Sequence, residues 1–290
     1  MIRESARPSA GRRSAITIAL ANQKGGVGKT TTAVSLSVAL AAGGYRVLLV
    51  DIDPQGNATS SLGIEKTDLE YTIYDLLVGN APAQDVIVET GRERLQLLPS
   101  SPELAGAEVE LVGVSARESR LKAGLDPVRD AYDLILVDCP PSLSILTLNA
   151  LTAVNEVFLP LQPHFLALHG LSKLLRTIEV VTQRLNANLR LSGVVLCMYD
   201  SGTRLAAEVS ADVHDFFNRQ SATDKSWEHA QTFKTRIRRN IRLAEAPSFG
   251  QSIFEYAPQS HGAEDYRDLA REVLAIELEQ RATSLEFAAA

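Results

Sequence analysis

Cysteine is nearly absent from this 290-residue chain. Its two residues, Cys139 and Cys197, are too few for a disulfide framework or a cysteine-built metal site within one chain. Each ends a strand-like run and reads as a small buried side chain. Long apolar runs are missing too: none approaches the roughly 18 residues that mark a membrane-spanning helix. The first 14 residues carry Arg3, Arg7, Arg12 and Arg13 but no apolar core, which excludes the form of a signal peptide. Residues 1–14 therefore read as a disordered, partly basic arm. Histidines 164, 169, 214, 229 and 261 share no metal-ligand spacing with one another or with cysteine, and are read as structural or surface groups. No nucleophile–histidine–aspartate constellation and no internal repeat stands out.

What remains is a globular composition, 45% hydrophobic and 22% charged, with an ample core and the cytoplasm as the expected location. The net charge of −6 argues against wholesale coating by nucleic acid and leaves room for a local basic patch. Strand candidates at Ala15–Ala21, Arg46–Asp51, Leu95–Pro99, Leu134–Asp138, Glu156–Leu161 and Leu191–Met198 alternate with helix candidates near 30–42, 72–79, 102–112, 116–131, 144–154, 165–186 and 203–219. Continuous runs such as Val47-Leu48-Leu49-Val50 suit strands buried on both faces of a parallel sheet. The expected fold class is α/β: a doubly wound, mostly parallel sheet flanked by helices, forming a single domain over residues 15–281. Residues 219–231 are polar and irregular and read as a surface loop or insertion. Beyond a last helix near 262–281, residues 282–290 read as a frayed tail.

Chemistry concentrates in residues 22–32, Asn-Gln-Lys-Gly-Gly-Val-Gly-Lys-Thr-Thr-Thr, between the first strand and first helix. A glycine-rich turn there lets backbone N–H groups and a helix N-terminus cradle phosphates. Gly25, Gly26 and Gly28 permit close approach, Val27 and Thr31 complete the loop, Lys29 reaches the β- and γ-phosphates, and the Thr30 hydroxyl binds Mg²⁺. The usual P-loop glycine is replaced by Gln23, and Lys24 follows it, which defines the deviant Walker A subclass. The next strand ends in Asp51-Ile52-Asp53-Pro54-Gln55-Gly56-Asn57. Alternation points Asp51 and Asp53 in similar directions, one toward the Mg²⁺ shell and the other toward an attacking water. Leu134-Ile135-Leu136-Val137-Asp138 has the Walker B form, whose aspartate holds Mg²⁺ through water. Pro140 and Pro141 then force an extended turn suited to a switch segment.

With Arg-Leu-Ala-Glu-Ala-Pro-Ser-Phe-Gly at 242–250, these motifs resemble the ParA/Soj family of ATPases that partition chromosomes and plasmids, from about Ala15 to Leu274. The resemblance implies ATP and Mg²⁺ as cofactors and a homodimer that sandwiches nucleotide. It further implies nonspecific DNA binding, nucleoid association, and a ParB-like protein that stimulates slow hydrolysis. Lys24 matches the lysine that reaches the partner's phosphates, Lys29 and Thr30 the P-loop lysine and Mg²⁺ ligand, Asp53 the aspartate needed for hydrolysis and Asp138 the Walker B aspartate. Lys24, Lys29 and Asp53 are thus the expected catalytic residues, and Thr30, Asp53 and Asp138 the expected metal site. Adenine is expected against Met198–Asp200 and Ala246–Ser248, with Met198 and Pro247 in contact.

The run Lys234–Arg242 holds five basic residues in nine and no acid, as phosphate contacts require. Arg242 matches a DNA-binding position of the family. Gly202 and Arg238 stand where arginine and proline are usual there, so Arg204, Lys234, Arg238, Arg239 and Arg242 are the expected DNA-binding residues. Alternatives are a relative that positions a chemoreceptor array, carboxysome or division site, and an iron–sulfur electron-transfer relative. A MinD-like membrane role is disfavoured by six acidic residues in the last helix, so no membrane partner is expected. With 14 residues ahead of the first strand, an N-terminal operator-binding domain is not expected either.

Overall fold

The computed structural model describes residues 15–164, 167–220, 227 and 230–289; for 167–170, 214, 218–220 and 277–289 it describes the backbone alone. The arm 1–14 and most of 219–231 lie outside the described residues. Among the described residues, eight strands form one sheet: β1 (Ile16–Leu20), β2 (Val47–Asp51), β3 (Val88–Arg92), β4 (Leu95–Leu98), β5 (Leu134–Asp138), β6 (Glu156–Leu161), β7 (Arg190–Leu196) and β8 (Gln231–Thr232). Their order is β3-β4-β2-β5-β1-β6-β7-β8, with every pairing parallel except β3 against β4.

The helices are α1 (Lys29–Ala42), α2 (Asn57–Ser61), α3 (Ala83–Val86), α4 (Leu104–Glu110), α5 (Arg120–Leu125), α6 (Ile145–Ala153), α7 (Ala167–Arg184), α8 (Arg204–Gln220), α9 (Arg242–Glu245), α10 (Ile253–Tyr256) and α11 (His261–Ala289). They cover both faces of the sheet, which is why its central strands β2 and β5 are continuous apolar runs rather than alternating. In β1, β2 and β5, Ile18, Leu20, Val47, Leu49, Leu134 and Leu136 pack with Leu36 and Leu40 of α1 and with Tyr266 and Leu269 of α11. Ala19, Leu48, Val50, Ile135 and Val137 point the other way, to Leu104, Leu121, Leu146, Ile178 and Val213 on α4 to α8.

All six expected strands form, and two were not anticipated. β3 is an antiparallel edge strand whose sequence, Val-Glu-Thr-Gly-Arg, is mostly exposed or half-buried. β8 is only two residues long. The single helix expected over 116–131 is instead α5 between two 3-10 turns, because Pro127 has no N–H to continue it. Residues Asp75–Gly79 form a π-type turn within the helix expected at 72–79. The final helix continues past Arg281 to Ala289.

Candidate active site

Because β5 lies between β1 and β2, the carboxyl ends of these three strands converge, and ligands of open parallel sheets sit at that edge. The glycine-rich loop leaves β1 there and is pinned from below. Asn22 donates from Nδ2 to the Pro160 carbonyl (2.8 Å) and accepts from Lys24 N–H at Oδ1 (3.0 Å). Gly28 ends the loop at φ +95°, a left-handed conformation that favours glycine, and a Cβ there would stand 3.4 Å from Cys197 Sγ. It is the N-cap of α1, which has no side-chain cap and no acid in its first turn, so the helix N-terminus can donate to an anion. Val27 is buried, whereas Gly25 and Gly26 are exposed and Thr30 and Thr31 half-buried.

Lys29 folds back over the loop and donates from Nζ to the Lys24 carbonyl at 3.1 Å. Its side chain is 6% exposed. Burial lowers its pKa, and the nearby Asp138 chiefly opposes that. A buried ammonium with only one carbonyl partner is poised for an anion placed in the loop.

The two strand-end aspartates differ in their surroundings. Asp51 is wholly buried and satisfied: it accepts from Thr59 N–H and Oγ1 (both 2.8 Å) and from Asp53 N–H (3.2 Å). Thr59 Oγ1 in turn accepts from Ser100 N–H, while Ser100 Oγ donates to the Asp53 carbonyl at 2.7 Å. Asp51 is therefore a clamp on the turn that carries Asp53, rather than a group open to water. Asp53 accepts from Gln55 N–H at Oδ1 (3.0 Å), which leaves Oδ2 for another donor.

Asp138 is the opposite case. It is wholly buried, and neither carboxylate oxygen has a hydrogen-bond partner. Burial, then the charge of Asp51, push its pKa well up, while the nearby Thr30 hydroxyl and Lys29 favour the carboxylate. Such a group is costly unless a cation or its bound water completes it. Asp138, Thr30 and Asp53 thus supply the hard oxygen donors that suit Mg²⁺.

Lys24 is exposed, and its Nζ meets Nε2 of His164, beyond the end of β6. Among the expected adenine contacts, Met198 is half-buried at φ +50°, and Pro247 lines a small cleft with Thr31, Val34, Leu243 and Ile253. The basic run is laid along β7: Ile237 N–H donates to Leu196 O (2.8 Å), Tyr199 N–H to Ile237 O (2.9 Å) and Arg239 N–H to Tyr199 O (3.2 Å). Phe233 and Ile237 are buried by this arrangement, while Lys234, Arg239 and Arg242 are exposed. Arg204 is exposed at the start of α8. Arg238 is set apart: its guanidinium grips Asp265 (2.5 Å) and Glu264 (2.8 Å), bonds that push its pKa up. The two thiols are buried on opposite faces of the sheet, and burial raises both, Cys197 to about 12. That placement does not suit a shared iron–sulfur cluster. No helix among the described residues is long and apolar enough to cross a membrane.

Thr59, Ser100 and His164 join the site without any motif to announce them. Each acts through a partner distant in sequence, and only the sheet brings them together.

A family model described as an AAA domain matches residues 15–191. The chain is 52% identical over 258 residues to the sporulation initiation inhibitor protein Soj of Bacillus subtilis, covering 89% of this chain and 98% of Soj. It is 46% identical over 267 residues to the chromosome partitioning protein ParA of Caulobacter vibrioides, covering 91% and 96%. Among solved structures, cobyrinic acid a,c-diamide synthase from Mycobacterium smegmatis with bound ADP and magnesium matches with a TM-score of 0.75 at 37% identity. That match covers 90% of this chain and 94% of the synthase chain.

Proposed function

Because the chain belongs to the ParA/Soj family of partitioning ATPases, we propose that it binds ATP with Mg²⁺, pairs with a second copy, holds DNA without sequence preference and hydrolyses ATP slowly. The observation that carries the nucleotide part is the orphaned Asp138 carboxylate beside Thr30 and the buried Lys29. Thr30, Asp138 and Asp53 would hold Mg²⁺, which would supply neutralisation of the phosphate charge. The chain's own groups do the rest. Loop N–H groups from Gly25 to Thr31 and the α1 N-terminus hold phosphate oxygens, and Lys29 turns from the Lys24 carbonyl to the β- and γ-phosphates. Asp53, its Oδ1 already engaged, orients the attacking water with Oδ2. Lys24 reaches the phosphates of the second copy, so hydrolysis depends on pairing. Phosphoryl transfer needs little acid–base chemistry, and positioned charge supplies most of the rate.

The DNA surface is Lys234, Arg239 and Arg242 together with Arg204. Arg238 is left out, since its fork is already closed on Asp265. A ParB-like protein accelerates hydrolysis and releases the chain from DNA. The test is retention on DNA with ATP-Mg, ADP-Mg and no nucleotide. Retention with ATP alone is expected; equal retention in all three overturns the reading.

A further inference from the structure

We propose that His164 is a positioning residue for Lys24: in the nucleotide-free chain its imidazole accepts a hydrogen bond from the Lys24 ammonium and parks that ammonium on its own protomer. The consequence for pairing rests on the reading above, in which Lys24 serves the second copy.

Three ties fix Lys24. Its N–H is bound by Asn22 Oδ1 and its carbonyl by Lys29 Nζ, so only the side chain is free to swing. Its Nζ meets His164 Nε2, across 140 positions of sequence. The exit of β6 supplies both supports, because the Pro160 carbonyl anchors Asn22 and His164 follows four residues later. An ammonium has donors and no acceptor, so the contact requires Nε2 to be unprotonated with the ring proton on Nδ1. Partial burial, then the Lys24 charge, hold the imidazole below its ordinary pKa, the direction that an acceptor at Nε2 needs. The tie through Lys29 is conditional. When Lys29 turns to phosphates, the Lys24 carbonyl loses its donor, so nucleotide in the same protomer loosens the lysine that must leave His164.

The test uses the full chain. In the nucleotide-free protein, the His164 ring, assigned by its loss in His164→Gln, is titrated by NMR. It is expected to titrate below a free histidine and to move up by at least about half a pH unit in Lys24→Met; no movement overturns the hold. Sedimentation with ATP-Mg then reads pairing. His164→Ala is expected to reach half-maximal dimer at about threefold to tenfold lower ATP, the scale of a partly exposed hydrogen bond to a charge. His164→Gln, which keeps an acceptor, is expected to stay within about twofold of wild type, and ADP affinity to be unchanged in both. Pairing of His164→Ala at the same or higher ATP overturns the parking role. A wild-type chain that never dimerises defeats the proposed function and the release from His164, while the NMR titration still decides the hold.

Discussion

Asp51 and Asp138 are register partners on neighbouring parallel strands, so two wholly buried carboxylates stand side by side at the carboxyl edge of the sheet. Asp51 is satisfied by Thr59 and the turn backbone, whereas neither Asp138 oxygen accepts a geometrically sound hydrogen bond and only the nearby Thr30 hydroxyl and Lys29 charge favour its ionised form. Burial pushes both carboxyls up, so ionising the pair is costly and a cation placed beside it would relieve that cost.

Asp138→Asn is accordingly expected to stabilise the nucleotide-free chain. The native carboxyl has a raised pKa, so between its unfolded value and its folded value the native state keeps a proton that the unfolded state has lost. Stability falls as pH rises through that window and stays lower above it. The variant should gain about 1–3 kcal/mol at mildly alkaline pH, with the gain shrinking toward about pH 4. Thermal unfolding across pH checks this, and a variant less stable than wild type at every pH sinks the argument. The same variant should lose the extra stabilisation that Mg²⁺ adds to ATP.

Lys29→Ala removes the one buried ammonium of the loop and the donor to the Lys24 carbonyl. Titration with a fluorescent ATP analogue should show affinity reduced by at least about 100-fold, as expected when a charge-assisted hydrogen bond to phosphate is removed from a partly desolvated site. Affinity near wild type would show that phosphates do not occupy this loop.

Much of the fold was legible in the sequence, and the exceptions have physical causes. The six expected strands lie between two helix layers, so they are mostly apolar, and β2 and β5 carry continuous runs such as Leu134-Ile135-Leu136-Val137. β3 has no such run because it is an edge strand, and β8 owes its two paired residues to β7 rather than to its own composition. The placing of the glycine-rich loop, Asp53 and Asp138 together at the carboxyl edge of the sheet was legible because each is local: a turn or a strand end. Relationships between distant segments were not. Nothing near Asp51 shows that Thr59 and Ser100 fasten it, nothing near Lys24 points to His164, and the basic run gives no sign that Arg238 belongs to Asp265.

That last pairing separates Arg238 from two arginines that look like it in sequence, Arg239 and Arg242. Arg239→Glu and Arg242→Glu should each weaken ATP-dependent DNA binding and lower the slope of log affinity against log salt by about 0.9 for each DNA phosphate that is no longer neutralised. Their thermal stability should stay near wild type, since both side chains are exposed. Arg238→Ala should do the reverse: it leaves the buried Asp265 only the N–H of residue 238, removes the guanidinium charge, and lowers the melting temperature with little change in the salt slope. Filter binding over a salt series, beside thermal unfolding, distinguishes the two patterns. An Arg238→Ala chain of wild-type stability that failed to bind DNA would return this residue to the surface.

Gly63 and Gly250 meet backbone to backbone, which ties the segment after Asp53 to the loop that carries Pro247 and follows Arg242. A Cβ on Gly250 would lie 2.7 Å from Gly63 Cα, and one on Gly63 would lie 3.0 Å from the Gly250 carbonyl. Both residues have positive φ, +62° at Gly250 and +79° at Gly63. Arg92 spans the junction, donating to the Leu62 carbonyl (2.8 Å) and the Gly250 carbonyl (3.3 Å) while paired with Glu255 (2.8 Å). Neither backbone can retreat without breaking that arginine's bonds, so Gly250→Ala should cost about 2–4 kcal/mol, the sum of a rigid clash and a left-handed alanine. Denaturant midpoints measure it, and a Gly250→Ala chain with an unshifted midpoint would refute the contact. Arg92→Ala should be milder and should partly relieve the cost of Gly250→Ala, because the loop is then free to move. Strict additivity of the two changes would mean that Arg92 does not hold the junction closed.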